Sequence, residues 1–454
     1  MSDKIVVGDI DVVKEKGINF LLKNNFLPLS NEKFDKFQNK IITSFIRIIE
    51  NQNKEIQNYG IIFTRHIVNY IFHLQIRYNA NYADKLKYKY LAKSHNQKYD
   101  FYLEEYDTPL KKDALLILKL KIKSIIKFFY FNFKIHGFKF PFYILKKKYI
   151  YYGSFSELGK DYLINEKNIC IFSYKEVLVN EVVKLKLSKK QSTLVNNKIE
   201  KCINTYINPL MELIVDTDKL FYEGENLKEV KDIFIEKLSS LIIFYKKLKL
   251  LDKKNSKFLI SEAANYCHKT ISLSLQDTNK VINLHHGYDY CLSENKVGYI
   301  LLYANNNEVL MDNYEISKNY HYYFENYLGK FSKTNFISLT IKNYFSKIKQ
   351  NKKNKNKNKT KTKSVMLIGY PMNMTRVTSE PYLYFHSQLI MEFKILEFLK
   401  KNKFHVIYKA HPDRLKEIGN IFKDYCDQFL IEKFENVINK ADILLFTYPS
   451  TSCF

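Results

Sequence analysis

From residue 257 onward the chain alternates short apolar runs with longer amphipathic ones, and this alternation restricts the fold more than any other feature. Phe258-Leu259-Ile260 reads as a buried strand, 262–276 as a helix and Val281-Ile282-Asn283-Leu284 as the next strand. Tyr299-Ile300-Leu301-Leu302-Tyr303 reads as a third strand and 314–328 as a helix. After 347–363, a low-complexity run of Lys, Asn and Thr that reads as a solvated linker, the pattern resumes. Strands are expected at 365–368, 405–408, 429–431 and 443–446, with helices at 385–401 and 414–425. Strands separated by helices at this spacing predict parallel sheets.

The first 250 residues follow a different rule. Ile41, Ile42, Phe45, Ile46, Ile48 and Ile49 recur at helical spacing, as do Ile61, Ile62, Ile67, Tyr70, Ile71 and Leu74. Residues 170–250 read as helices with short strands between, and 228–251 carries a strong helical stripe through Val230, Phe234, Leu238, Leu241, Ile242 and Tyr245. The expected organisation is a helix-rich region over 1–250, an α/β unit over 251–346, the linker at 347–363 and a second α/β unit over 364–454. Ser450-Thr451-Ser452 would ordinarily cap a helix, yet two residues later the sequence stops, so the second unit is expected to be incomplete.

Charge decides which partners are plausible. The net charge is +26, but 111–150 holds eleven Lys and one acid and 347–363 holds nine Lys and none, so two stretches supply +19 of it. The remainder is nearly balanced, and no nucleic-acid partner is expected. Scarce Arg also argues against base-specific DNA reading. Within 111–152, Phe128, Phe129, Tyr130, Phe131, Phe133, Phe138, Phe140, Phe142 and Tyr143 interleave with lysines. Two uses fit: a contact with an anionic membrane surface, or a strand or helix pair with aromatic core and solvated lysines. No apolar run approaches the ~18 residues of a spanning helix. The six cysteines show no C-x-x-C pair, so no metal site is expected, and free thiols in the cytoplasm are the simple reading.

Three short motifs follow expected strands: His285-His286-Gly287, Lys409-Ala410-His411-Pro412 and Ser450-Thr451-Ser452. Carboxyl ends of parallel strands are where open α/β sheets bind ligands. Lys409 and His411 can offer charge and hydrogen bonds to a phosphate, and Ser450, Thr451 and Ser452 can add hydroxyl and backbone donors. His286, beside Gly287, suits a general base. Arg376, in the loop after the strand at 365–368, is a further phosphate candidate. Glu262, Asp413 and Arg414 read as helix-end charges.

In this order the motifs resemble bacterial surface-polysaccharide glycosyltransferases of the GT-B fold, a group that includes capsule Kdo transferases, polysialyltransferases and CDP-glycerol glycerophosphotransferases. The resemblance spans about 257–454. It implies two Rossmann-like domains facing a cleft, with no permanent cofactor and a CMP-, CDP- or UDP-linked donor as substrate. It implies donor phosphates on His411 and Ser450–Ser452, and a base at His286. His285 stands where the family more often has Gln or an aliphatic residue, which leaves two histidines as candidates. The expected acceptor is a polysaccharide or lipid-linked chain, reached from the cytoplasmic face of the membrane. Two alternatives stay open: a sugar-nucleotide epimerase of the same architecture, and a Lys-rich nucleic-acid-binding protein.

Overall fold

The computed structural model describes residues 4–8, 10–24, 31–91, 114–143, 148–152, 162–163, 169–251, 257–261, 266–275, 280–284, 308–311, 335–338, 363–369, 385–411 and 421–447. The chain opens with β1 (Ile5–Val7), α1 (Ile10–Lys16) and α2 (Ile18–Asn24). The long helices α3 (Asn31–Glu50) and α4 (Lys54–Lys85) follow, then β2 (Lys89–Leu91), which pairs parallel with β1. Next come α5 (Ala114–His136), a 3-10 turn at Gly137–Lys139 and α6 (Phe140–Tyr143). Strands β3 (Lys148–Tyr152) and β4 (Ile169–Ser173) lead into helices α7 (Lys175–Lys184), α8 (Lys189–Cys202), α9 (Asn208–Val215) and α10 (Leu227–Leu250). The α/β portion then runs β5 (Lys257–Ser261), α11 (Tyr266–Leu275), β6 (Lys280–Leu284), β7 (Glu308–Met311) and β8 (Asn335–Ser338). It ends with β9 (Ser364–Ile368), α12 (Phe385–Lys401), β10 (His405–Lys409), β11 (Gln428–Leu430), α13 (Phe434–Val437) and β12 (Ile443–Phe446).

Helices α3, α4, α8, α9 and α10 enclose one core, in which Phe45, Tyr59, Phe63, Tyr70, Tyr206, Phe234 and Tyr245 are buried. Their start signals are local. Asn53 caps α4 by accepting from the Ile56 N–H, and Ser188 and Gln191 form a reciprocal capping box on α8. Between α8 and α9 the helix widens into a π-turn at Ile203–Ile207. It carries Tyr206 inward, where the phenol donates to the Ile56 carbonyl at 2.7 Å. Gly60 makes that approach possible: a Cβ there would stand 2.8 Å from Tyr206 and from Ile49 Cγ1.

Besides the β1-β2 pair, the described strands form two parallel sheets, in the orders β4-β3-β5-β6-β7-β8 and β11-β10-β9-β12. In the six-stranded sheet Tyr151, Leu259, Ile282 and Leu284 pack on one face with Phe131 of α5. Ile150, Phe258, Ile260 and Val281 pack on the other with Leu178 and Val182 of α7 and with Cys267 and Ile271 of α11. Among the described strands β4 is an edge, and Asn132 of α5 covers it. Its amide donates to the Cys170 carbonyl at 2.8 Å and accepts from the Cys170 N–H at 2.9 Å, supplying the pairing a further strand would have given. The four-stranded sheet shares its core with the start of the chain: Val7, Val12, Val13, Ile18 and Leu21 pack with Val365, Leu367, Leu389, Phe393 and Val406.

The fold is mixed α/β with parallel sheets, as the alternation predicts. Three local readings need correction. Residues 114–136 form one helix, and most of its large apolar side chains face outward instead of forming core. The six-stranded sheet takes β3 and β4 from the stretch read as helix-rich, and no strand interrupts 174–250. The helix expected at 414–425 is, over its described part, a turn and a 3-10 helix at Lys423–Tyr425. The strand at 299–303, the helix at 314–328 and the linker up to 362 lie outside the described residues.

Candidate functional site

Among the described strands, the direction of winding reverses once in each of the two larger sheets. From β9 the chain adds β10 and then β11 on one side, before β12 returns to the opposite side of β9. From β3 it adds β4 on one side, and β5 and its successors on the other. Crevices form outside the carboxyl ends of strands at such reversals, because the loops there leave in opposite directions. In the four-stranded sheet that point lies between Ile368 of β9 and Phe446 of β12, which are paired in register. Ile368 also pairs with Lys409 of β10. The turn Lys409-Ala410-His411 therefore starts one strand away from the reversal, and the segment bearing Ser450-Thr451-Ser452 follows β12 directly in the chain.

Lys409 is 4 % exposed, and its ammonium donates to the Ala410 carbonyl at 2.6 Å. The charge thus sits inside the strand end, and it braces the turn that carries half-buried His411. The backbone adds further bracing: the Gly369 N–H donates to the Lys409 carbonyl at 2.9 Å and the Ala410 N–H to the Leu430 carbonyl at 2.9 Å. Pro412, Asp413, Arg414, Arg376, Ser450, Thr451 and Ser452 lie outside the described residues. So do Glu262, His285, His286 and Gly287; the last three follow Leu284, where β6 ends. Of the sequence candidates the structure describes Lys409 and His411. The histidine motif continues from a different sheet.

A buried polar chain, unforeseen from the sequence, ties the same strand ends together. Gln388 of α12 donates its side-chain N–H groups to Thr447 Oγ1 at 2.6 Å and to Glu392 Oε1 at 2.9 Å. Tyr408 Oη donates to Glu392 Oε2 at 2.8 Å. Thr447 follows β12 and Tyr408 precedes Lys409, so one helix face fixes the spacing of both strand ends. Gln388 Oε1 is buried with no hydrogen-bond partner. The available signal was Gln388 and Glu392 one turn apart beside Leu389, Phe393 and Leu396. Polar residues next to an apolar stripe read as a solvated face until both sides of the helix are known to be covered.

Other buried charges serve different surroundings. Burial opposes ionisation of Glu55, but hydrogen bonds from Lys198, Lys246 and Tyr59 outweigh it and bring its pKa down to about 2. Glu225 is likewise held below the usual carboxylate range, against the effect of burial, by His73 and Arg77. Burial, together with Lys237 and Arg65, pushes His66 down to about 3. Lys269 of α11 is fully enclosed, its Nζ has no hydrogen-bond partner, and burial lowers its pKa to about 7. A groove of about 680 Å³ lined by Lys33, Tyr78, Asn81, Lys85, Asp218 and Glu223 belongs to the bundle and to neither sheet. Among the described residues no three His, Cys, Asp or Glu side chains converge as a metal site, and no helix is long and apolar enough to cross a membrane. No protein-family model, curated protein or solved structure matches the chain.

Proposed function

We propose that this chain is a GT-B-type transferase moving a sugar or polyol phosphate from a nucleotide-activated donor to a surface-polysaccharide or lipid-linked acceptor. One observation carries the reading: the strand ends preceding His411 and Ser450–Ser452 flank β9 beside the winding reversal of a parallel sheet, joined through Gln388 and Glu392. In this reading His411 and the hydroxyl and backbone donors of Ser450–Ser452 hold the donor phosphates and stabilise charge on the departing nucleotide. His286 or His285 takes the proton from the acceptor hydroxyl as its oxygen attacks the transferred group. The bond from that group to the nucleotide phosphate breaks, and the nucleotide leaves with its electron pair. Lys409 and the chain Thr447–Gln388–Glu392–Tyr408 act by positioning.

The test is thermal unfolding with CMP, CDP, UDP, GDP, ADP or a random oligonucleotide, for wild type and His411→Ala. A ligand at 100 times its Kd stabilises the folded state by about 2.7 kcal/mol. One nucleotide should raise the melting temperature of wild type by several degrees and leave His411→Ala unshifted. A response to the oligonucleotide alone would overturn the donor-site reading.

A further inference from the structure

Helix α5 has two apolar faces. One packs on the six-stranded sheet through Phe131 and the Asn132 clamp on Cys170, with Phe131 set edge-on to Phe172 at 5.2 Å. The other bears Leu118, Ile122, Ile125, Ile126, Phe129 and Phe133, all exposed, with Ile126 at 62 % and Phe129 at 56 %. Steps of three and four residues put these on one stripe about 22 Å long. At its end the chain turns through Gly137, whose φ of 54° lies in the left-handed region, and presents Phe138 at 90 % and Phe142 at 81 % exposure. Phe138 packs edge-on against Phe133 at 5.7 Å, so the tip continues the stripe.

Within the segment itself the charges have one sign. Residues 114–143 contain six lysines and no Asp or Glu. Lys119, Lys123 and Lys127 follow one another at steps of four beside the stripe, the latter two with their ammonium groups over the Tyr174 ring at 5.8 and 5.1 Å, and Lys134 lies two turns further on. A solvent-facing helix side is normally polar, and a protein partner of mixed charge would call for some acids here. An exposed apolar stripe whose own helix carries lysines and no acids matches the boundary between acyl chains and anionic headgroups.

We infer that the outward face of α5, together with the Phe138 and Phe142 tip, is a docking surface for an anionic lipid bilayer, on which the helix lies flat. The lysines meet headgroup charge while the stripe and the two phenylalanines enter the acyl boundary. This stands apart from the transfer reading, since it uses no residue of the strand-end site.

The test is sedimentation of the full chain with vesicles of phosphatidylcholine alone or mixed equally with phosphatidylglycerol. Wild type should partition at least about tenfold more strongly onto the mixed vesicles, each lysine near the surface being worth about fivefold. Replacing the exposed lysines, Lys119→Gln/Lys123→Gln/Lys134→Gln, should weaken that binding about a hundredfold at low salt. Phe138→Ser/Phe142→Ser should keep the anionic preference but lose the binding that survives in about 0.5 M salt, where charge is screened. Both variants alter exposed side chains, and an unchanged melting temperature verifies their fold. Equal binding to both vesicle types, binding untouched by either variant, or no binding at all would each overturn the inference. So would a dimer in solution that the phenylalanine variant dissolves while wild type ignores vesicles.

Discussion

The helix bundle and the four-stranded sheet bury polar groups by opposite rules. In the bundle a carboxylate is neutralised by cations beside it: half-buried Glu55 lies between Lys198 and Lys246, and buried Glu225 between His73 and Arg77. At the sheet, Glu392 is held by a phenol and an amide, in a chain that ends on a hydroxyl at a strand terminus. Matched charges stabilise by staying closed. The hydrogen bonds along this chain fix distances between strand ends, and in the proposed function the charge of a ligand is met beside them.

Lys269 gives the widest test of this contrast, because it sits where the bundle meets the six-stranded sheet and follows neither rule. Its folded pKa of about 7 lies below the ordinary 10.5, so the unfolded chain binds the extra proton between those values. Stability must rise as pH climbs from 7 toward 10.5. Lys269→Met should remove that slope and raise stability at neutral pH by about 4 kcal/mol, read from urea unfolding at several pH values. A destabilised variant would mean that the amine has a partner essential to the fold.

Next in size is the hydrogen-bonded chain through Glu392. Tyr408→Phe strips one donor from buried Glu392 and should cost about 1–3 kcal/mol. If a nucleotide stabilises wild type, its shift should shrink in the variant, since the strand ends lose a common brace. Loss of stability with an unchanged nucleotide shift would make the chain purely structural. The smallest effect belongs to Glu55, which remains partly open to solvent. Its contribution is complete above the unfolded pKa of 4.5 and fades as pH falls through about 2. Glu55→Gln should flatten acid unfolding in that window and cost about 1 kcal/mol at pH 7, screening included.

The same contrast explains what the sequence could show. Strands β5, β6, β9, β10 and β12 were legible because each is a run of apolar residues bounded by polar ones, and α12 spans the residues its amphipathic pattern marks. Strand β3, Lys148-Tyr149-Ile150-Tyr151-Tyr152, was hidden because it continues the basic aromatic run before it. Helix α5 misled for a related reason. Its apolar residues cover two faces, and composition alone cannot tell a face on a sheet from one on solvent. Lys409 and His411 were visible as a strand-end motif, whereas Gln388, Glu392 and Tyr408 become a unit only through pairing between elements far apart in sequence.

The shared core of the four-stranded sheet has a consequence for how the chain is made. Val7 and Val365 pack in one cluster although 358 positions separate them. At a synthesis rate of about 5–20 residues per second, the apolar sides of α1 and α2 wait roughly 20–70 s for their partners to emerge. The early helical bundle can close meanwhile from neighbouring segments, but the sheet nearest the candidate site cannot. Pairing of β1 with β2 can form early, but the core it shares with the four-stranded sheet closes only after β9 has emerged.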